Sequence, residues 1–206
     1  MKLLNLTQGS KEWLDWRATG IGSSDAAVLL GQNPWKSEDE LFEEKLSNKT
    51  EFTPNAAMIR GTKLEPVILG LYCNHVGDSL KPLVAVHSEY NRFNASFDGI
   101  NLETKRLVEI KAPNPKAHAM ALSGKVPHYY IPQVQWLLLV SGFEYLDYVS
   151  WDGVSKLPAI VRVYKDEKIH KELVEKGLAF LARLDKAREQ GVTTKKPKVT
   201  PKKVMA

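Results

Sequence analysis

The sequence contains only one cysteine, Cys73, among its 206 residues. A single thiol excludes a disulfide framework, a CxxC redox pair, a cysteine-ligated zinc site and an iron–sulfur cluster within the chain. The sequence also lacks any run of about 18 apolar residues, so it predicts no membrane span. Its first residues become polar too early for a secretory signal, which makes the cytoplasm the expected compartment.

Residues 1–190 lack a net charge, although the whole chain has a formal charge of +5 and a pI of about 9.1. That excess equals five lysines of residues 191–206, a segment without acids: Lys195, Lys196, Lys198, Lys202 and Lys203. We therefore expect one domain over residues 1–190 and a basic, flexible tail over 191–206. The high pI does not indicate a uniformly basic nucleic-acid binder.

Hydrophobic periodicity predicts an α/β fold with a central mixed β-sheet flanked by helices. With 43% hydrophobic residues, the chain can bury a core without disulfides. Helical spacing predicts seven helical segments, with a capping box at Ser37–Glu40 and a helix stop at Gly77, and alternation predicts five strands. The helical segments surround Trp13–Trp16 and cover Asp25–Leu30, Glu38–Leu46, Met58–His75, Lys116–Leu122, Tyr129–Val140 and Asp166–Glu189. The strands are Leu83–Val86, Phe93–Asp98, Arg106–Lys111, Glu144–Trp151 and Pro158–Tyr164.

Two acids and a lysine form the strongest chemical signal. Glu109 and Lys111 lie two residues apart on a predicted strand, so their side chains project to the same face, while Val108 and Ile110 project into the core on the other side. Asp98 is expected to end the preceding strand and to lie beside Glu109. Carboxylate and carbonyl oxygens suit Mg²⁺ or Mn²⁺, and a lysine beside a metal can orient or activate an attacking water. This set predicts phosphodiester hydrolysis; the alternative is a solvated Glu–Lys pair on an exposed strand.

Polar residues on neighbouring helices favour the catalytic interpretation. Glu65 would supply a third carboxylate. Gln133 and Gln135 lie in an otherwise apolar helix, where an unpaired amide is costly to bury. Because residues two apart cannot share a helix face, we expect one of the two glutamines to reach the site.

A second cluster lies near the N-terminus. Arg17 can bind a phosphate through its two-pronged guanidinium group. Ser23 or Ser24 is expected to cap the following helix, whose free N–H groups attract anions. The alternative is an ordinary capped helix with a surface arginine.

Five sequence motifs in order resemble the phage lambda exonuclease group, also called the YqaJ-like viral recombinases, within the PD-(D/E)xK nuclease superfamily. The motifs span about residues 10–150: Trp13-x3-Arg17-x2-Gly-Ile-x-Ser-Ser24, Arg60-Gly-x2-Leu-Glu65-Pro, Ala95-Ser-x-Asp98-Gly, Glu109-Ile-Lys111-Ala-Pro and Tyr130-x2-Gln133-x-Gln135. The resemblance implies a restriction-endonuclease-like core.

The resemblance also implies a role for individual residues. The metal ligands would be Asp98, Glu109 and the carbonyl of Ile110, with Glu65 as the helix-borne acid beside them. Lys111 would position or activate the water, and Gln133 would lie at the active site. A pocket for a terminal 5′-phosphate would consist of Arg17, Ser24 and Ser96, with Gln133 close by.

The activity implied by the resemblance is 5′→3′ digestion of one strand of duplex DNA from its end. Two Mg²⁺ ions per site are expected, for which Mn²⁺ may substitute. The product would be a 3′ single strand for an annealing partner protein, the enzyme would be a homotrimeric ring, and the setting would be a bacterial host cell. DNA would meet local basic patches: Arg60 with Lys63, Arg92, Lys116 and Lys125. The alternatives are a repair or restriction endonuclease on the same fold and a non-catalytic DNA-binding module.

Overall fold

The computed structural model describes residues 1–47 and 55–192. Its strands are β1 (Lys2–Leu4), β2 (Ile21–Gly22), β3 (Lys81–Val86), β4 (Phe93–Asn101), β5 (Arg106–Lys111), β6 (Tyr145–Ser150) and β7 (Ala159–Tyr164). Its α-helices are α1 (Lys11–Thr19), α2 (Ala26–Leu29), α3 (Glu38–Leu46), α4 (Ala56–Val76), α5 (Pro115–Leu122), α6 (Ile131–Ser141) and α7 (Glu167–Glu189). Short 3₁₀ turns at Ser23–Asp25 and His128–Tyr130 precede α2 and α6.

All seven strands belong to one mixed sheet with the order β1-β3-β4-β5-β6-β7, and β2 pairs with β4 beside this path. The β5–β6 and β2–β4 pairs are parallel, while the other pairs are antiparallel. This arrangement confirms the expected mixed sheet flanked by helices.

The helix ends follow local sequence signals. Ser10 accepts a hydrogen bond from the Trp13 N–H and begins α1, and Ser37 forms the predicted capping box with Glu40 at the start of α3. Gly77 ends α4 in the left-handed conformation, with φ of 64°. Pro66 lies inside α4 without dividing it.

Two apolar cores pack between the sheet and its flanking helices. The larger includes Phe93, Trp136 and Leu184 and joins α2, α3, α6 and α7 to the sheet. The smaller packs Ile68 and Tyr72 of α4 against other apolar side chains, including Val108 and Ile110 of β5. Burial of Val108 and Ile110 confirms their predicted core orientation.

One edge of β4 is divided between two partners. On the edge opposite β3, β2 pairs with residues 93–94 and β5 pairs with residues 99–101. Within the described part of the chain, residues 95–98 have no strand partner on that edge. This interval, which we call the β4 gap, lies between the ends of β2 and β5.

Two expectations need correction, and two short strands were not predicted. Asp98 does not end its strand, because β4 continues to Asn101. Neither Ser23 nor Ser24 caps a helix through its side chain; a 3₁₀ turn begins there instead. The short strands β1 and β2 were not predicted, because two or three residues are too few to display an alternation. Most of the predicted tail, residues 193–206, lies outside the described residues, so its flexibility stays a prediction.

Candidate active site

Asp98 lies in a β-bulge at the β4 gap. The β3–β4 register shifts between the pairs Lys81–Ile100 and Leu83–Phe97, which places the extra residue of β4 at Asp98–Gly99. The Asp98 carboxylate accepts a 2.7 Å hydrogen bond from the backbone N–H of Ile110, next to the end of β4–β5 pairing. Bulges redirect side chains in this way beside functional sites.

Glu109 is held by two donors. Its Oε1 atom accepts hydrogen bonds from Lys111 Nζ at 2.5 Å and from Gln133 Nε2 at 2.6 Å. Glu109 is only 2% exposed, so the solvated-pair alternative does not describe this ion pair. Gln133 is therefore the glutamine that reaches the site; Gln135 binds the Tyr164 carbonyl and the Asp166 N–H instead.

Glu65 on α4 is close enough to the strand carboxylates to interact electrostatically with them. Burial raises the pKa of Glu65, and the negative charge of Glu109 raises it further. Burial and then Glu109 raise the pKa of Asp98 well above its usual range. Both pKa shifts show a concentration of negative charge away from water.

Lys111 balances part of that charge. Burial alone would lower the pKa of its ammonium group, but Glu109 and Asp98 outweigh burial and raise it. The Nζ atom also lies 5.3 Å from the ring centroid of Tyr130. The Lys111 ammonium group is therefore protonated, and it lies between carboxylates and the Tyr130 ring.

The donor set fits a hard divalent cation. Asp98, Glu109 and Glu65 offer carboxylate oxygens, and the Ile110 carbonyl adjoins the Glu109–Lys111 pair in sequence. Among residues 1–47 and 55–192, no three His, Cys, Asp or Glu side chains already have the spacing of a complete metal site. Glu109 raises the pKa values of both Asp98 and Glu65, as expected for neighbouring carboxylates whose charge a cation would neutralise.

Tyr148 is a neighbour of the site that sequence reasoning missed. It is paired with Glu109 in the β5–β6 register, and its ring lies 6.0 Å from that of Tyr130. Its buried hydroxyl has no hydrogen-bond partner among residues 1–47 and 55–192, and burial raises its pKa. Only the pairing of β5 with β6 connects it to the site.

The N-terminal cluster lies against β4. Arg17 donates a 2.9 Å hydrogen bond to Ser24 Oγ, and its guanidinium group lies 4.5 Å from the Trp13 ring centroid. The Trp13 indole donates to Ser96 Oγ at 2.8 Å. The structure thus joins Arg17, Ser24 and Ser96 through Trp13, whereas Gln133 is bonded to Glu109. Ser96 precedes Asp98 by two residues on the same strand.

A buried ion pair between Lys45 and Asp25 contacts the backbone of the N-terminal cluster. Lys45 Nζ lies 3.0 Å from Asp25 Oδ2 and donates to the Arg17 carbonyl, while Asp25 accepts from the Gly22 N–H. Burial would raise the pKa of Asp25, but Lys45 and then Arg17 outweigh it and lower the pKa. Lys45 and Asp25 lie 20 residues apart, so no local motif signals their contact.

The structure gives two of the expected DNA-contacting arginines internal partners. Arg60 donates to the carbonyls of Ala112 and Asp152 at 2.8 and 2.6 Å. Arg92 binds the Thr19 carbonyl and the Asp185 carboxylate. Both side chains therefore connect distant segments of the fold.

Comparison with known proteins identifies the family. The model of the YqaJ-like viral recombinase domain matches residues 12–144. The chain belongs to the YqaJ-like viral recombinase family. The matched region contains the residues proposed for the two sites: Arg17, Ser24, Glu65, Ser96, Asp98, Glu109, Ile110, Lys111 and Gln133.

Two curated relatives are similar to this recombinase-family chain over part of their length. YqaJ of Bacillus subtilis (strain 168) is 31% identical over 144 residues, which cover 68% of this chain and 45% of YqaJ. Protein D345L of African swine fever virus (strain Badajoz 1971 Vero-adapted) is 31% identical over 163 residues, or 65% of this chain and 46% of D345L. The chain spans less than half the length of either relative.

Solved structures resemble the chain over nearly their whole length. The alkaline exonuclease LHK-Exo from Laribacter hongkongensis has a TM-score of 0.77 and 28% identity, covering 88% of this chain and 95% of LHK-Exo. A complex of LHK-Exo with dAMP gives a TM-score of 0.76 and 27% identity, covering 88% and 98% of the two chains. These matches confirm the PD-(D/E)xK-like fold of this YqaJ-like recombinase domain. No helix in the described ranges is long and apolar enough to cross a membrane.

Proposed function

We propose that the chain is a metal-dependent 5′→3′ exonuclease of the lambda exonuclease type. It degrades one strand of linear double-stranded DNA from a 5′-phosphorylated end and leaves a 3′ single strand for annealing recombination. The proposal rests on the arrangement of β4. Ser96 accepts a hydrogen bond from Trp13 of the Arg17 cluster, and Asp98, two residues later, accepts one from Ile110 beside the carboxylates. A phosphate pocket beside a hydrolytic site suits an enzyme that works from DNA ends. The similar LHK-Exo is an exonuclease and has been solved with a nucleotide, dAMP.

Residues of three elements would hold Mg²⁺, for which Mn²⁺ can substitute. Asp98, Glu109, the Ile110 carbonyl and Glu65 are the proposed ligands, with two ions in each site. When bound, the ions supply Lewis-acid polarisation of the phosphate and stabilise the attacking and leaving oxygens. The three carboxylates supply oxygen ligands, and the raised pKa values of Asp98 and Glu65 favour a partner of positive charge.

Lys111 acts as a donor in this proposal. Without bound metal, its raised pKa keeps the ammonium group protonated near neutral pH, so Lys111 can orient the attacking water or donate to a phosphate oxygen. Gln133 and Lys111 both bond Glu109 Oε1 and restrict the rotation of that carboxylate. Arg17 and Ser24 would bind the terminal 5′-phosphate, with Ser96 and Gln133 at the side of the pocket facing the carboxylates.

The test is digestion of end-labelled DNA in Mg²⁺. A label on the 5′-terminal nucleotide of a linear duplex should be released early, while a 3′ label on the same strand should remain on progressively shorter fragments. EDTA should stop the reaction and added Mg²⁺ should restore it. Covalently closed circles should survive under the same conditions.

The same assay separates the alternatives. Nicking of closed circles would overturn the exonuclease proposal and support a repair or restriction endonuclease. Binding of duplex without cleavage of any DNA would support a non-catalytic module. Release of the 3′ label first would contradict the proposed direction.

We also propose a homotrimeric ring and a single-strand annealing protein as its partner. Both follow from the family resemblance. Light scattering coupled to size-exclusion chromatography should give three times the chain mass of 23.2 kDa. A monomer under the conditions of active digestion would contradict the ring.

A further inference from the structure

Three aromatic rings form a continuous series from the protein surface to Lys111. The Trp35 and Tyr129 ring centroids are 5.0 Å apart and nearly perpendicular, and those of Tyr129 and Tyr130 are 4.6 Å apart. Lys111 Nζ lies 5.3 Å from the Tyr130 centroid. We call Trp35, Tyr129 and Tyr130 the aromatic ladder.

Trp35 is the open end of the ladder. It is 61% exposed, although a tryptophan ring is among the side chains that gain most from burial. The loop that carries it is well defined: Asn33 Oδ1 accepts hydrogen bonds from the N–H groups of Trp35 and Lys36. Its ring is nearly perpendicular to that of Tyr129, and its 61% exposure leaves much of its surface free to meet another molecule.

The position of the ladder indicates which molecule that is. Tyr130 contacts the cation that is bonded to Glu109, so the ladder ends inside the proposed active site. A substrate strand that lies across Lys111 has its neighbouring nucleotides within reach of Tyr129 and Trp35. Nucleobases are flat and stack on aromatic side chains whatever their sequence.

We propose that Trp35 stacks on a nucleobase within a few nucleotides of the scissile phosphate and helps to hold the DNA end during digestion. This subsite rests on the proposed nuclease function but is separate from the residues that bind metal and terminal phosphate. Stacking on Trp35 would add affinity for DNA without sequence preference, which suits an enzyme that must degrade any sequence.

The test compares Trp35→Ala with Trp35→Phe. The alanine variant should raise KM for linear duplex about tenfold and change kcat by less than twofold, because stacking is lost while the reacting groups stay in place. The phenylalanine variant should recover most of the affinity. Leu122→Ala is the matched control, since Leu122 is similarly exposed, at 67%, on the separate helix α5.

A direct readout uses 2-aminopurine placed at successive positions from the DNA end, with Ca²⁺ in place of Mg²⁺ to slow cleavage. Wild-type protein should quench the fluorescence at one or two positions, and Trp35→Ala should abolish that quenching. Unchanged KM and unchanged quenching in Trp35→Ala, with a wild type that digests DNA, would overturn the Trp35 subsite alone. A wild type that binds but does not digest linear duplex would overturn the proposed function instead.

Discussion

The Asp98 carboxylate accepts a 2.7 Å hydrogen bond from the Ile110 N–H, at the point where a bulge interrupts β4. This contact orients a half-buried acid toward the Glu109–Lys111 pair. The pKa of Asp98 is raised by burial and by Glu109, so its ionised form is unfavourable in the folded protein. Asp98 is therefore a residue at which the needs of function oppose those of stability.

Asp98→Asn should abolish cleavage without destabilising the protein. The amide oxygen can still accept from Ile110, while the anionic ligand and its unfavourable charge are both removed. We expect digestion to fall about 1,000-fold or more. In EDTA, the free energy of unfolding should stay the same or rise by about 1 kcal/mol. Activity is measured on end-labelled duplex and stability by urea titration; loss of stability would contradict this account of Asp98.

The rate of cleavage should rise with pH on the acid side. Asp98 and Glu65 have raised pKa values and retain protons at a pH where ordinary carboxyls have lost them. Protonated carboxyls are poor metal ligands, so kcat/KM should increase as the protons leave. The free energy of unfolding should change in the opposite direction, falling as the pH rises. A carboxyl whose pKa is raised in the folded state stabilises that state while it is protonated. This contribution is lost as the pH rises through the folded-state pKa.

Glu65→Gln tests the electrostatic part of this pH dependence. Glu65 raises the pKa of Asp98, so its neutral replacement should move the acid limb of the kcat/KM profile to lower pH, whatever its effect on the maximal rate. Glu103→Gln is the control, because Glu103 lies exposed in the β4–β5 hairpin. An acid limb that stays at its wild-type position in Glu65→Gln would show that Glu65 does not influence Asp98.

Local sequence signals predicted much of the fold. The capping box at Ser37, the helix stop at Gly77 and the strand Arg106–Lys111 all lie where expected. These features depend on residues a few positions apart, whose effect is the same in any fold. The leucine spacing of Asp166–Glu189 predicts that Leu178 is buried, but it is 44% exposed, because α7 turns Gly177 and Phe180 toward the core instead.

Long-range relationships could not be predicted in the same way. The bulge at Asp98 depends on the register between β3 and β4, and the ladder joins Trp35 to Tyr129 from distant parts of the chain. Ser24 had a strong local interpretation as a helix cap, but it accepts from Arg17 instead. Tertiary contacts determine the partners of these residues, because the local sequence around each of them is compatible with more than one role.

Arg17→Ala should reduce the preference for a 5′-phosphorylated end. The charged hydrogen bonds of an arginine to a phosphate typically contribute about 1.5–3 kcal/mol, so the ratio of kcat/KM for 5′-phosphate over 5′-hydroxyl ends should fall about tenfold or more. Ser24→Ala should reduce it less, because Arg17 remains. Arg183→Ala, which removes an exposed arginine of α7, should leave the ratio unchanged. A wild-type ratio in Arg17→Ala would dissociate Arg17 from the pocket.

Gly99→Ala should destabilise the protein at the bulge. A Cβ atom at Gly99 would lie 2.6 Å from Leu69 Cδ1 and 2.7 Å from Val108 Cγ1, so these side chains or the elements that carry them must shift. We expect a loss of about 1–3 kcal/mol in the free energy of unfolding. Cleavage should also weaken, because Asp98 adjoins the substituted residue.

Two further variants decide whether that steric contact is the cause. Gly70→Ala adds the same methyl group next to Leu69, where nothing lies within 4 Å, and should be neutral or stabilising by up to about 1 kcal/mol. Leu69→Ala removes one of the clashing atoms, so the double variant Gly99→Ala/Leu69→Ala should lose less stability than the two single variants together. Strictly additive losses in urea titrations would place the effect of Gly99→Ala elsewhere than at the α4–β4 contact.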